Sequence, residues 1–274
     1  MHWVYDLPNW LFALLTVLVF CGFGIGGMII TRRWVPSLHH SELSHNDIVG
    51  FYFEAIAVFY GITLALLMVA VWQNFTETAQ KVDHEAGRVA ALYRNLSSYP
   101  EPSRNQLQND LRRYTRNVID VGWPQQQKGI VPTINKTAMD DLGSHLATFE
   151  PASEGQKILH SESIHTFNEL VELRRSRHLS VTAGLSGPLW ALLWIGALIN
   201  IAVTWSFQVK NRRMHLWMTT LVSSLLGLMV FLLALMDHPF MGKVSVSSKP
   251  FQLVYNTLMQ SDEIAAGSGN ARTQ

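Results

Sequence analysis

The chain has 274 residues, a hydrophobic share of 48% and only 15% charged residues, well below the roughly 25% of soluble domains. A formal net charge of +1 gives no electrostatic reason to expect nucleic acid as a partner. The single cysteine, Cys21, excludes an intrachain disulfide and a cysteine-based metal cage within one chain.

The first apolar run, Trp10 to Ile30, is long enough to cross a hydrocarbon layer as a helix. No Lys or Arg precedes it and Arg32-Arg33 follow it, so it does not read as a cleaved signal. Gly22 and Gly26 have the spacing that lets two helix backbones approach, which predicts a packing face here. The connection that follows holds His39, His40, Glu42, His45 and Asp47, residue types that ligate divalent ions. Their spacing fits no closed ligand set, so a polar loop is expected and no metal or other cofactor is assigned. Within it, His45-Asn46-Asp47 reads as the start of the next helix, with Asn46 or Asp47 capping a helix that begins near Ile48.

The second span runs from Val49 to Trp72 and buries Glu54 about one and a half turns inside, where an ionisable group needs a partner, a cavity or water. Glu54, Gly61, Ala65, Met68 and Trp72 share one stripe at helical spacing, as expected of a pore-lining helix or a tight bundle. Tyr60, Met68 and Trp72 are candidate constrictions, with Glu54 and Gly61 on the same helix. Composition then becomes that of a soluble helical region from Gln73 to about Val181. The second helix continues to Ser98, and Pro100 and Pro102 break it. Ser103-x-x-Gln106 predicts a capping box that opens a helix ended by Pro124. A further helix fits Thr133 to Phe149, and Ser153-x-x-Gln156 opens the next. This pattern predicts a helical bundle. Arg174, Arg175 and Arg177 close it beside the third span, as an interfacial anchor or, in a symmetric oligomer, a basic collar that concentrates anions or holds acidic lipid.

The third span is roughly Ala183 to Trp205, with Pro188 tolerated in its first turn and Asn200 expected to bond to another helix. Lys210, Arg212 and Arg213 lead into the final span, which ends at Asp237-His238-Pro239-Phe240-Met241-Gly242. Here Asp237 is expected to cap or to pair with a basic group, Pro239 to end the helix, and Gly242 to permit a tight reversal. Lys243 to Ser248 alternates like a short extended piece, Lys249 to Met259 reads as a short amphipathic helix, and Ser261 onward as a disordered tail.

The expected fold class is an all-α membrane protein with four transmembrane helices and a helical bundle inserted between the second and third. The expected division is 1–72, 73–181, 182–240 and 241–274. Positive charge in the two short connections argues for placing them in the cytoplasm and the bundle outside, while Arg174, Arg175 and Arg177 beside the third span argue for the opposite orientation.

Taken together, His45-Asn46-Asp47, Tyr60-Gly61, Trp72, Glu85-Ala86, Tyr114, Trp123, Arg174 to Arg177, Pro188-Leu189-Trp190, Asp237-x-Pro239-Phe240-x-Gly242 and Pro250-Phe251 are ordered and spaced as in a known family. The chain resembles the bestrophin-like family of bacterial four-helix membrane proteins, distantly similar to bestrophin anion channels. The resemblance implies a homo-oligomer in a bacterial inner membrane, multi-pass, with membrane lipid and inorganic ions as partners and a bundle on the cytoplasmic side. The run of acids that forms the calcium clasp of animal bestrophins is replaced by Lys243-Val244-Ser245, which counts against calcium activation of that kind. The leading expectation is an oligomeric ion channel or channel-like pore, with a lean to anions. The alternative is a non-conducting scaffold or sensor that binds a partner or lipid through the bundle. No paired catalytic residues stand out in facing spans, so an enzyme is not expected.

Overall fold

The computed structural model describes residues 7–32, 42–132 and 135–260. Its described secondary structure is all helical: α1 (Asn9–Thr31), α2 (Glu42–Leu96), α3 (Ser103–Asn117), α4 (Trp123–Gln127), α5 (Asn135–Thr148), α6 (Glu154–Val181), α7 (Gly187–Thr204), α8 (Arg212–Asp237) and α9 (Lys249–Val254). Wide turns at Val118–Gly122 and Tyr255–Met259 extend α3 and α9. The chain divides into two compact units. One contains Met1–Asn74 and Gly184–Asp237, the other Phe75–Ala183 and His238–Gln274.

Four helices, in α1, α2, α7 and α8, are long and apolar enough to cross a membrane. In the first unit α1 and α8 run side by side, and their contacts follow a regular antiparallel register. The Phe12 and Phe231 rings meet edge to face at 5.2 Å. Gly227 faces Val17 and Phe20, and Gly24 faces Ser223 and Thr219 so closely that a Cβ there would lie 2.4 Å from Ser223 Oγ. The expected close approach at Gly22 and Gly26 is corrected, since both face open space. The approach falls on Gly24 and Gly27 because Trp205 lies against Gly27 and donates its indole N–H to the Gly24 carbonyl at 2.9 Å. Asn200 also departs from expectation, donating to the Gly196 carbonyl one turn back in its own helix.

The second unit has a continuous apolar core from α2, α3, α5, α6 and the C-terminal segment, including Val89, Leu92, Leu96, Leu111, Leu142, Leu170 and Phe251. Ser153 caps α6, accepting from Gln156 N–H at 3.2 Å, and Gln156 returns a bond to the Ala152 N–H. Ser103 does not cap α3: it is the first helical residue, after Pro102. Nor does Pro124 end the helix before it. The backbone widens at Val118–Gly122, where Trp123 N–H reaches the Val118 carbonyl, so the ring that would clash with a regular turn is accommodated at the start of α4. The expected extended piece at Lys243 to Ser248 is irregular. The expected tail from Ser261 lies outside the described residues.

Candidate functional site

In the first unit, α2 is covered along one face only, by residues such as Leu64, Leu67 and Val71. Tyr60 belongs to this covered side: its ring lies on Gly196 and its hydroxyl donates to the Leu193 carbonyl at 3.1 Å. Beside it runs the stripe of Glu54, Gly61, Ala65, Met68 and Trp72, of which only Met68 is half-covered. The structure therefore keeps Glu54, Gly61, Met68 and Trp72 together and turns Tyr60 inward against α7. A third stripe, with Phe51, Val58, Ile62, Leu66 and Val69, is bulky, apolar and exposed.

His45, Asn46 and Asp47 lie within α2 rather than ahead of it, which corrects the expected cap near Ile48. Asn46 is instead a backbone mimic. Its amide donates to the Gln208 carbonyl at 2.8 Å and accepts from Gln208 N–H at 2.9 Å, and His45 Nε2 donates to the Ser206 carbonyl at 3.1 Å. Two adjacent side chains thus tie α2 to the connection between α7 and α8, satisfying backbone groups that a helix end leaves open. His39 and His40 lie outside the described residues, and no group of three metal-ligating side chains converges among the described ones.

Asp237 is buried at the end of α8. Its carboxylate accepts from Leu185 N–H at 2.6 Å and from the Trp190 indole at 3.0 Å, fixing the approach to α7 and its first turn. Pro188 sits in that first turn, where its missing N–H costs little.

In the second unit, Pro239, Phe240 and Gly242 form a reversal. Gly242 has φ of 77°, a region unfavourable to residues with a Cβ, and the Pro239 carbonyl accepts from Val246 N–H at 2.8 Å. Phe240 is buried edge to face on Trp123 at 5.6 Å, and the Trp123 indole donates to the Val246 carbonyl.

The same tryptophan leads to the most constrained chemistry in the chain. Arg177 and Glu85 are both fully buried and paired at two points, Nε to Oε2 at 2.6 Å and Nη2 to Oε1 at 3.1 Å. Tyr114 donates its hydroxyl to Glu85 Oε1 at 2.7 Å. The guanidinium lies 5.7 Å from the Trp123 ring and 5.8 Å from the Phe251 ring. Burial and the adjoining Glu85 carboxylate push the Tyr114 hydroxyl well above the usual phenol range, so it remains a donor. For Arg177, burial works against the charge, but the Glu85 carboxylate and the Tyr114 hydroxyl together outweigh it and the group is held above its ordinary range.

This arrangement corrects the three-member collar. Arg177 faces the core because only there does its fork meet a carboxylate and two aromatic faces. Arg175 is exposed and Arg174 half-buried. His178 is held down at about 4 by burial and by the charges of Arg177 and Arg174.

Glu85, Tyr114, Trp123, Phe240 and Phe251 were legible only as widely spaced members of a motif; nothing in their spacing showed that they meet around Arg177.

A family model for the Bestrophin-like domain matches residues 18–251. A search of curated proteins gave no match. Two crystal structures of point mutants of a bacterial bestrophin homolog from Klebsiella pneumoniae are similar to the chain. One has 11% identity and a TM-score of 0.65, covering 90% of this chain and 98% of that one. The other has 13% identity and a TM-score of 0.58, covering 90% and 96%. A crystal structure of a membrane protein matches at 13% identity and a TM-score of 0.64, covering 89% and 94%. At these identities the likeness carries the fold, while the family rests on the match across most of the chain. On that match, the chain belongs to the Bestrophin-like family.

Proposed function

We propose that this chain forms an oligomeric ion-conducting pore in a bacterial inner membrane, with its four apolar helices spanning the bilayer and α2 lining the axis. The observation that carries the reading is the uncovered stripe of Glu54, Gly61 and Ala65 on α2, flanked by Trp72 and distinct from the bulky exposed stripe beside it. An ionisable side chain among small residues is costly against lipid and well suited to a water-filled axis. Copies arranged about a symmetry axis would place one such stripe from each subunit around it. The family's likeness to bestrophin homologs supports the same reading by analogy of fold.

The basic collar that tilts the sequence toward anions is reduced to Arg174 and Arg175, whereas Glu54 on the exposed stripe carries the opposite sign. Glu54 therefore sets the selectivity of the α2 stripe, and the ion sign follows from reversal potentials. Purified protein in planar bilayers is expected to carry current, and Glu54→Gln to shift the reversal potential in asymmetric salt. Absence of current across salts and pH overturns the pore, and an unmoved reversal potential overturns the assignment to α2.

A further inference from the structure

The antiparallel register of α1 and α8 steps from Phe12 and Phe231, through Phe20 and Gly227, to Gly24 with Ser223 and Thr219. Continued in the same direction, it delivers the last turn of α1 to the first turn of α8. There Arg32 and Arg212 line one recess of about 240 Å³, with Met28 and Ile29 as its apolar wall. Among the described residues, neither arginine has a carboxylate partner. The first N–H groups of α8 are already engaged, since Asn211 Oδ1 accepts from Arg213 and Met214. The recess is therefore defined by two guanidinium side chains rather than by free backbone donors.

Two like charges brought to one recess by helix register repel each other, and an anion between them reverses the sign of that energy. Guanidinium forks suit phosphate oxygens, which they can bind bidentately. The apolar wall and its place at the end of two membrane-length helices separate this recess from a site for a free ion. Ile29 is exposed beside it, and Met214 and Trp217 are exposed on the first turns of α8. A phosphate with attached acyl chains meets both halves of this surface.

We propose that Arg32 and Arg212 form a binding site for the phosphate headgroup of an anionic phospholipid, with an acyl chain lying along Met28 and Ile29. The proposal rests on the reading that α1 and α8 lie in a bilayer. The test uses the full chain in detergent, melted with phosphatidylglycerol, phosphatidylcholine or inorganic phosphate at matched concentrations. Phosphatidylglycerol is expected to raise Tm by several degrees and the other two not to. Arg32→Gln is expected to weaken the phosphatidylglycerol response about tenfold, and Arg32→Gln with Arg212→Gln to abolish it. Lys128→Gln, in the Phe75–Ala183 unit, leaves it unchanged. A response retained in the double variant overturns the site, and an equal response to inorganic phosphate overturns its assignment to lipid. Should the double variant fail to fold, the two single variants decide the matter on the same scale. Flotation of the wild-type chain with vesicles separates membrane association from headgroup binding. A chain that does not float removes the bilayer reading and the site together; one that floats without preferring phosphatidylglycerol removes the site alone.

Discussion

The two units solve the same packing problem with opposite surfaces. The Phe75–Ala183 unit buries Leu92, Leu96, Leu107 and Leu111, while α1, α7, α8 and the apolar part of α2 leave Leu18, Val19, Phe59, Leu66 and Trp217 exposed and bury Thr204, Thr219, Ser223 and Asn200. Water drives large apolar groups inward in the first case. Lipid gives no such drive, so small and weakly polar residues mediate contact in the second. Both units bury acids, Asp237 in the apolar one and Glu85 with Asp110 in the bundle, and the innermost of them differ in partner. Glu85 meets a full counter-charge in Arg177, while Asp237 accepts from the Leu185 N–H and the Trp190 indole.

The largest effect is expected from stripping the bundle of its counter-charge. Arg177→Ala leaves Glu85 buried and unpaired and is expected to destabilise the bundle by about 3–5 kcal/mol. Combining Glu85→Leu with Arg177→Met is expected to recover most of that loss, because both desolvated charges disappear together. Thermal unfolding followed by near-ultraviolet circular dichroism measures both; an Arg177→Ala protein that melts with wild type would show that the pair is dispensable.

The apolar unit is expected to fail differently, by overfilling. A Cβ on Gly27 would lie 1.9 Å from the Trp205 ring, which is itself tethered to Gly24. Gly27→Val is accordingly expected to cost about 1–3 kcal/mol, against almost nothing for Gly26→Ala, which meets open space. Equal losses of Tm from the two would remove the assigned packing face.

Asp237→Asn tests how much the contacts of this buried acid need its charge. The amide can still accept from Leu185 N–H but presents N–H to the Trp190 indole, so a loss of about 1–2 kcal/mol is expected. Channel current recorded alongside particle size separates its effects. Intact assembly with altered gating assigns Asp237 a role in the pore, and lost assembly assigns it to structure alone.

The smallest effect concerns His178. Its folded value of about 4 lies below the ordinary 6.5, so on acidification the unfolded chain takes up the proton first. The stability held by the neutral ring is complete above about pH 6.5 and is lost as pH falls toward about 4. His178→Gln is expected to flatten this part of the Tm profile by less than one proton's worth of slope. An unchanged profile would assign the acid sensitivity to other groups.

Much of the fold was legible because apolar run length, helical periodicity and breakers are local. The apolar runs, the continuation of α2 past the second run, the cap at Ser153 and the reversal at Gly242 all follow from residues within a few turns of one another. The stripe of Glu54, Gly61, Met68 and Trp72 was legible for the same reason. The placement of Tyr60 was not, because its adjacency to Gly61 in sequence says nothing about Gly196, more than a hundred residues away, whose missing side chain makes room for its ring.

What the sequence determined by itself is the number and length of the apolar runs, the helical character of the region between them and the order of the motif residues, since each depends on short-range pattern. What each motif residue touches depends on packing between distant segments, and the fold sets it. It made Asn46 a mimic of backbone at Gln208, Asp237 the acceptor for Leu185 and Trp190, and Arg177 the buried partner of Glu85. The three arginines near the end of α6 look alike in sequence, and they separate because a helix turns about 100° per residue. That turn points Arg177 at a carboxylate 92 positions earlier and leaves Arg175 in the open.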